Sequence, residues 1–351
     1  MSKSNYLEDF SIGQKLIHAI PRTLSEADAS LYIALTGDRR PLFCAKTFAS
    51  QLGYKKVPLN DMLVFHIAFG RTVQDISLNA VANLGYSDVR FIGPVFAGDT
   101  IRSESTVIGL KENSNKTNGI VYVHSIVYNQ NDDDVLSWKR WVMVPKNNSD
   151  AVITEIFIPD LPKSVSLDDI SIPSTLDVSN FDISSTGSSR FWGDYNVDET
   201  IDHNHGLTVD ETAHTMATHL YQNNARLHFD AHLMKDTAFK KRLIYGGHII
   251  SLCNAINFQG IENALNIVAI NTGVHSNPTF SGDTIYAKTI IQAKNEIKGR
   301  GDIGLLRLRL VGIKNQEPSS LRSIMQENSP KTYVDNVVLD IDYTVIIPRG
   351  K

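Results

Sequence analysis

The chain has 351 residues, 42% hydrophobic and 21% charged, with a formal net charge of −4. That length suits about two domains with a sizeable core, and the mild acidity excludes a surface that is a nucleic-acid footprint as a whole, leaving room only for a local basic patch. Two cysteines, Cys44 and Cys253, make no disulfide framework and fit a reducing cytoplasm.

The opening MSKSNYLEDF lacks the apolar core of a signal peptide, and no run reaches the ~18 apolar residues of a membrane-spanning helix. YLEDFSIGQKLIH, from Tyr6, leads to a helix expected near 23–37, with Thr23 and Glu26 as a Thr-x-x-Glu capping box. The loop GDRRPLF (Gly37–Phe43) follows, and then an apolar helix, DMLVFHIAFGRTVQDI, from Asp61. GPVFAGDTI, from Gly93, turns into strands; IVYVHSIVY and RWVMVPK read as two of them, with NDDDV from Asn131 as a hairpin turn. Residues 147–189 include IPDLPKSVSLDDISIPSTL, with three prolines and few large apolar residues, and read as a linker.

Then the series returns. FWGDYNVDETIDH, from Phe191, matches the segment from Tyr6 at an offset of 185, and Thr208 and Glu211 repeat the box of Thr23 and Glu26 before a helix near 208–222. YQNNARLHFD (Tyr221–Asp230) stands in the loop position and GGHIISLCNAINFQGI, from Gly246, in the apolar-helix position. NPTFSGDTI lies 184 residues after GPVFAGDTI, and TVIIPR answers WVMVPK. LLRLRL and VLDIDYTVII are half-buried strands, interrupted by a surface insertion, GIKNQEPSSLRSIMQENSPKTYVDN. Each match is weak alone; their common order marks an internal duplication. One long apolar helix with several antiparallel strands per half is the pattern of an α+β hot-dog unit. The expectation is a double hot-dog fold, two repeats each with an antiparallel sheet wrapped around a central helix. The N-terminal domain would be 1–146, the linker 147–189 and the C-terminal domain 190–351.

In the repeat register GDRRPLF falls on QNNARLH, so Asp38 meets Asn223, Arg40 meets Ala225, Pro41 meets Arg226 and Phe43 meets His228. These loops resemble the G-D-x-N-P-x-H loop of the MaoC-like (R)-specific enoyl-CoA hydratases. The first copy keeps Gly37, Asp38 and Pro41 and lacks the histidine; the second keeps His228 and has Asn223 in the aspartate's place. Longer stretches, among them LVFHIAFGRTVQDISLNAVANLGY, VIGLKENSNKTNGIVYVHS, YGGHIIS and NPTFSGDTIYA, are similar to the mesaconyl-CoA hydratase family, a double-hot-dog branch of that group, over nearly the whole chain.

The resemblance implies reversible dehydration of β-methylmalyl-CoA to mesaconyl-CoA with no redox or metal cofactor, CoA being part of the substrate. It also implies a cytoplasmic homodimer whose partner is an acyl-CoA thioester rather than nucleic acid or membrane. Adding water to an enoyl thioester needs a base for the water, an acid for the α-carbon and donors for the developing enolate. The expected catalytic residues are His228 for the proton, Asn223 for orienting the water and Asp230 as a nearby carboxylate; an amide is no base near neutral pH. Gly246 and Gly247, opening the apolar helix, with His248 beside them, are the expected thioester site, because glycines let backbone amides approach a ligand and a helix N-terminus adds its dipole. Asp61 and Met62 hold that position in the first half, so one working site is expected, in the second. A free carboxylate on the substrate calls for a cation, and Arg226 is the candidate. KKRL from Lys240 and YKK from Tyr54 are candidates for the CoA phosphates.

Plainer readings apply to other residues. Asp38, with Phe43 as its partner, reads as a turn residue, His66 as a core histidine, HNHG from His203 as a solvated turn, and Cys253 as packing. Beside the hydro-lyase stand a general (R)-enoyl-CoA hydratase, a hot-dog thioesterase and a non-catalytic acyl-CoA sensor, though no helix-turn-helix accompanies it.

Overall fold

The period-two runs of both halves become long antiparallel strands in the computed structural model, which describes residues 5–350. In the first half β1 (Lys15–Ile17) and β2 (Arg22–Thr23) precede α1 (Glu26–Thr36), α2 (Pro41–Cys44), α3 (Lys46–Gln51) and the central helix α4 (Asp61–Ile76). Then come β3 (Ala82–Phe91), β4 (Thr100–Glu112), β5 (Asn118–Tyr128) and β6 (Asp134–Pro145). The second half runs β7 (Thr200–Thr208), α5 (Glu211–Leu220), a 3-10 turn (Arg226–His228), α6 (Ala231–Met234) and the central helix α7 (Gly246–Ile256). It closes with β8 (Ile267–His275), β9 (Thr284–Ile297), β10 (Arg300–Lys314), the hairpin β11 (Met325–Gln326) and β12 (Ser329–Tyr333), and β13 (Val337–Pro348).

Among the described residues, eleven strands form one antiparallel sheet in the order β1-β4-β5-β6-β3-β8-β13-β10-β9-β7, with β2 also on β4. The halves join where β3 pairs with β8. Ser87 faces Thr272 there, and these two positions are one repeat offset apart, so the internal two-fold axis passes between them. One chain thereby contains the self-complementary contact that a symmetric dimer makes between two. α4 packs on β4, and α7 on β9, β10 and β13. A single apolar core containing Phe65, Trp138, Ile249 and Leu308 runs through both halves.

The helix starts differ from the expected Thr-x-x-Glu boxes. Ser25 caps α1, its hydroxyl accepting from Asp28 N–H while the Asp28 carboxylate accepts from Ser25 N–H at 2.8 Å; Asp210 caps α5. Thr23 and Thr208 lie just outside, in strands, each bonded to the threonine that opens the long strand paired beside it, Thr100 and Thr284. A hydroxyl on an extended residue is satisfied across the ladder, which leaves capping to the last residue before the helix. Residues 147–189 form an irregular strap touching both halves: Phe157 bridges to Leu110, Val165 N–H donates to Asn271 Oδ1 at 2.9 Å, and Leu176 packs with Leu42 and Leu305. His203, expected in a solvated turn, is buried within β7 with Nε2 2.8 Å from Thr289 Oγ1. No helix among the described residues is long and apolar enough to cross a membrane.

One glycine sets the position of the loop that follows α5. Gly70 sits mid-α4, and a methyl group there would lie 2.0 Å from the Tyr221 carbonyl oxygen and 2.9 Å from Asn223 N. Only a glycine lets helix and loop backbone come this close.

Candidate active site

A cavity of about 320 Å³ opens between the two halves. The first half walls it with Phe65, His66 and Phe69 of α4, Tyr86 of β3 and Arg140 of β6; the second supplies Asn223, His228, the start of α7 and His275. The counterpart beside the first-half loop has shrunk to about 10 Å³. Asp38 fills it with a 2.9 Å ion pair to Arg40 and a 2.7 Å bond from the Asn60 amide; Arg40 also donates to the Asn254 carbonyl and to Asn257 Oδ1. Asp38 is thus a buried structural anion.

The geometry of His228 defines its chemistry. The ring is 7% exposed, and Nδ1 lies 3.0 Å from the Leu243 carbonyl oxygen. A carbonyl only accepts, so Nδ1 carries the hydrogen and Nε2 keeps its lone pair. Burial pulls the imidazole down to about 4, opposed by that carbonyl bond, so at pH 7 the ring is neutral with its Nε2 lone pair free to take a proton. The Tyr245 ring stands edge-on at 5.3 Å between centroids. Asn223 is buried; its Oδ1 accepts from Ala225 N–H at 2.9 Å, and its amide faces the Tyr245 hydroxyl.

The N-termini of the two central helices differ at one register position. Before α4, Asn60 Oδ1 accepts from Met62 N–H at 2.9 Å, capping the helix. Before α7 the same place is held by Tyr245, which makes no side-chain cap. The backbone N–H groups of Gly246 and Gly247 therefore stay open on the cavity wall with the helix dipole behind them. The rings explain the glycines. A methyl on Gly246 would lie 2.5–2.7 Å from His275, and one on Gly247 would lie 2.4 Å from the Tyr245 ring and 2.8 Å from His66 Nδ1. His275 is held by a 2.5 Å hydrogen bond between its Nε2 and the Tyr86 hydroxyl.

Three expected site residues lie elsewhere. Asp230 is exposed and caps α6, accepting from Leu233 N–H at 2.9 Å. Arg226 is exposed on the outer side of the 3-10 turn, because that turn directs His228 inward and so turns the residue two places earlier outward. His248 is buried yet off the cavity wall. One residue past Gly247 is about 100° round the helix, and its ring faces His214 at 6.3 Å instead. Phe239 lines the cavity and is 44% exposed, so the segment carrying Lys240 and Lys241 borders an opening. Tyr54 is buried against Phe96, away from the cavity.

Four lining residues were not legible in the sequence: Arg140, Tyr86, His275 and the cavity-facing side of His66. His66 is fully buried, with neither ring nitrogen bonded. The strand pattern held one signal for Arg140. Trp138, Arg140, Val142 and Val144 share the buried face of β6, so an arginine sits in an apolar period-two series.

Desolvation pulls six histidines down: His66 and His214 to about 3, and His203, His228, His248 and the half-buried His275 to about 4. The unfolded chain binds these protons near pH 6.5. Between about pH 6.5 and 4 the unfolded state therefore holds more protons, and stability falls as pH falls. The urea midpoint should drop clearly from pH 7 to pH 5; an unchanged midpoint would mean these rings are hydrated in the fold.

The sheet order, the two wrapped helices and the single loop-histidine site define a double hot-dog protein of the MaoC type. The mesaconyl-CoA hydratase family model matches residues 1–323, and the chain belongs to that family. It is 48% identical to a β-methylmalyl-CoA dehydratase of Chloroflexus aurantiacus, over 98% of this chain and 97% of that one. It is 46% identical to a mesaconyl-CoA hydratase of Cereibacter sphaeroides, over 98% of each. A solved MaoC-domain dehydratase structure from Chloroflexus aurantiacus J-10-fl superposes with a TM-score of 0.97 at 47% identity, covering 100% of this chain and 99% of that one. A Mycobacterium tuberculosis protein described as having a double hot-dog fold superposes at 0.78 with 23% identity, over 98% of each chain, which shows the fold.

Proposed function

We propose that this chain is a hydro-lyase that reversibly dehydrates β-methylmalyl-CoA to mesaconyl-CoA. Nearly half of the residues, across both halves, agree with relatives of that activity. The observation that carries the chemistry is the Nδ1–Leu243 bond of His228, which leaves a neutral Nε2 on the same wall as two open amides. In the hydration direction, Nε2 takes a proton from water as the water oxygen bonds the β-carbon. The enolate that forms on the thioester oxygen is held by Gly246 and Gly247 N–H and the dipole of α7. The imidazolium then returns a proton to the α-carbon, so bonds and charges balance around one acid–base group. Asn223 orients the water from beside Tyr245. Among the described residues no carboxylate lines the cavity, which is why the imidazole is given both steps.

The proposed reaction is redox-neutral and uses no cofactor, CoA being part of the substrate. Lys240 and Lys241, beside the opening, suit the CoA phosphates. A cytoplasmic homodimer completes the reading, and light scattering tests the dimer. The deciding assay incubates the protein with mesaconyl-CoA and with crotonyl-CoA, following the enoyl absorbance and free thiol together. Faster absorbance loss on mesaconyl-CoA without thiol is the expected result. Thiol release would mark a thioesterase, preference for crotonyl-CoA a general hydratase, and no change with either a binding module.

A further inference from the structure

The cavity wall carries a charged group that the reaction chemistry above does not use. Arg140 is 0% exposed, and its Nε and Nη1 have no hydrogen-bond partner. Nη2 reaches only Ser77 Oγ, at 3.4 Å, and the guanidinium carbon lies 4.4 Å over the Phe69 ring. Among the described residues, no Asp or Glu lines this cavity, and Arg140 is its sole Arg or Lys. A buried guanidinium without a counterion is costly, and proteins ordinarily pair it. The other half shows the ordinary solution: Arg40 is buried too, and Asp38 neutralises it at 2.9 Å. Asn223, which stands where Asp38 stands in the repeat, brings no charge to the second site.

From this we infer that Arg140 is the receptor for the substrate's free carboxylate, and so the residue that selects a dicarboxylic acyl-CoA over a monocarboxylic one. This rests on the proposed hydro-lyase reading, since that substrate is the one bearing a carboxylate on the β-carbon. The geometry suits it. Arg140, Tyr245 and His228 line the same cavity, and the Tyr245 ring lies 5.3 Å from the His228 ring. The cation is therefore on the wall of the same cavity that holds the group working on the β-carbon. Nε and Nη1 have no protein partner and Nη2 has only the long Ser77 contact, so the guanidinium keeps donors for charge-assisted hydrogen bonds to a carboxylate. Phe69 beneath the guanidinium supplies only partial compensation for its buried charge.

The test uses an inert isosteric pair, so that binding is read apart from turnover. One ligand is 2-methylsuccinyl-CoA, esterified at the carbon next to the methyl branch. The other is 2-methylbutanoyl-CoA, with a methyl group in place of the carboxylate. Calorimetric Kd values are compared for wild type, Arg140→Met and Arg140→Lys. Arg140→Met should weaken 2-methylsuccinyl-CoA by about 100-fold, the worth of a charge-assisted pair, and change 2-methylbutanoyl-CoA by less than about 3-fold. Arg140→Lys should fall between, keeping the charge and losing the fork. Tm of Arg140→Met should hold or rise, because a desolvated charge is removed. Equal weakening of both ligands, or no weakening of either, overturns the assignment. If wild type prefers the carboxylate ligand through Arg140 yet turns over no mesaconyl-CoA, the hydro-lyase reading fails while the receptor stands.

Discussion

Replacing His228 by alanine should lower kcat for mesaconyl-CoA hydration by about 10²- to 10⁴-fold, the usual worth of a positioned acid–base group. KM should change little, because the ring acts on water and the reacting carbons more than on the bound thioester. The fold should survive. The imidazole is tied to the rest of the chain through one bond, to the Leu243 carbonyl, and losing it costs roughly 1–3 kcal/mol for an unsatisfied buried acceptor. The wild-type pH profile gives an independent check. Only the neutral ring accepts a proton, and burial holds it at about 4. The rate should therefore stay level from pH 8 to about pH 5 and fall below that, where acid instability of the other buried rings adds to the loss. A limb near pH 6.5 would mean that the ring is solvated. Near-full activity in His228→Ala would remove it from the mechanism.

How much of this the amino-acid sequence alone carries depends on the kind of signal. The duplication was legible because turn residues and strand starts recur at a fixed offset. The GDT turns illustrate this: Gly98 and Gly282 both adopt positive φ ahead of β4 and β9, a conformation that favours glycine wherever it is needed. The α4 boundaries, Asp61 to Ile76, follow the apolar run. His228 and the glycine pair were legible because loop and helix start belong to one half and keep their spacing. The rest of the cavity was not, because its walls come from the contact between halves. Arg140 lies on β6 and His66 on α4, and both meet the second half only across the internal two-fold. Arg226 misled for a related reason. Proximity in sequence to His228 says nothing of which side of a 3-10 turn a residue takes. Asp230 was drawn away by a local demand, since α6 needed a cap. The Asn60-to-Tyr245 exchange was in the sequence as well; its meaning appears only once both are seen to precede a central helix, one capping it and the other leaving its amides open.

Gly246→Ala should cost about 10²- to 10³-fold in kcat, comparable to removing an oxyanion donor, although the substitution deletes no donor. Alanine is the better helix former by up to about 1 kcal/mol, so Tm should not fall much on that account. The damage is positional. The new methyl would sit 2.5–2.7 Å from His275, and that ring is pinned by its 2.5 Å bond to Tyr86, so the start of α7 must give way. Amides displaced by even a fraction of an ångström no longer point at the enolate oxygen, and preorganised donors lose most of their value when they must reorient. A double-mutant cycle isolates this cause. His275→Ala removes the obstacle, so Gly246→Ala made in that background should lose much less activity than it does in wild type. If the two losses simply multiply, the clash is not what harms the enzyme, and the open amides of α7 are not the enolate site.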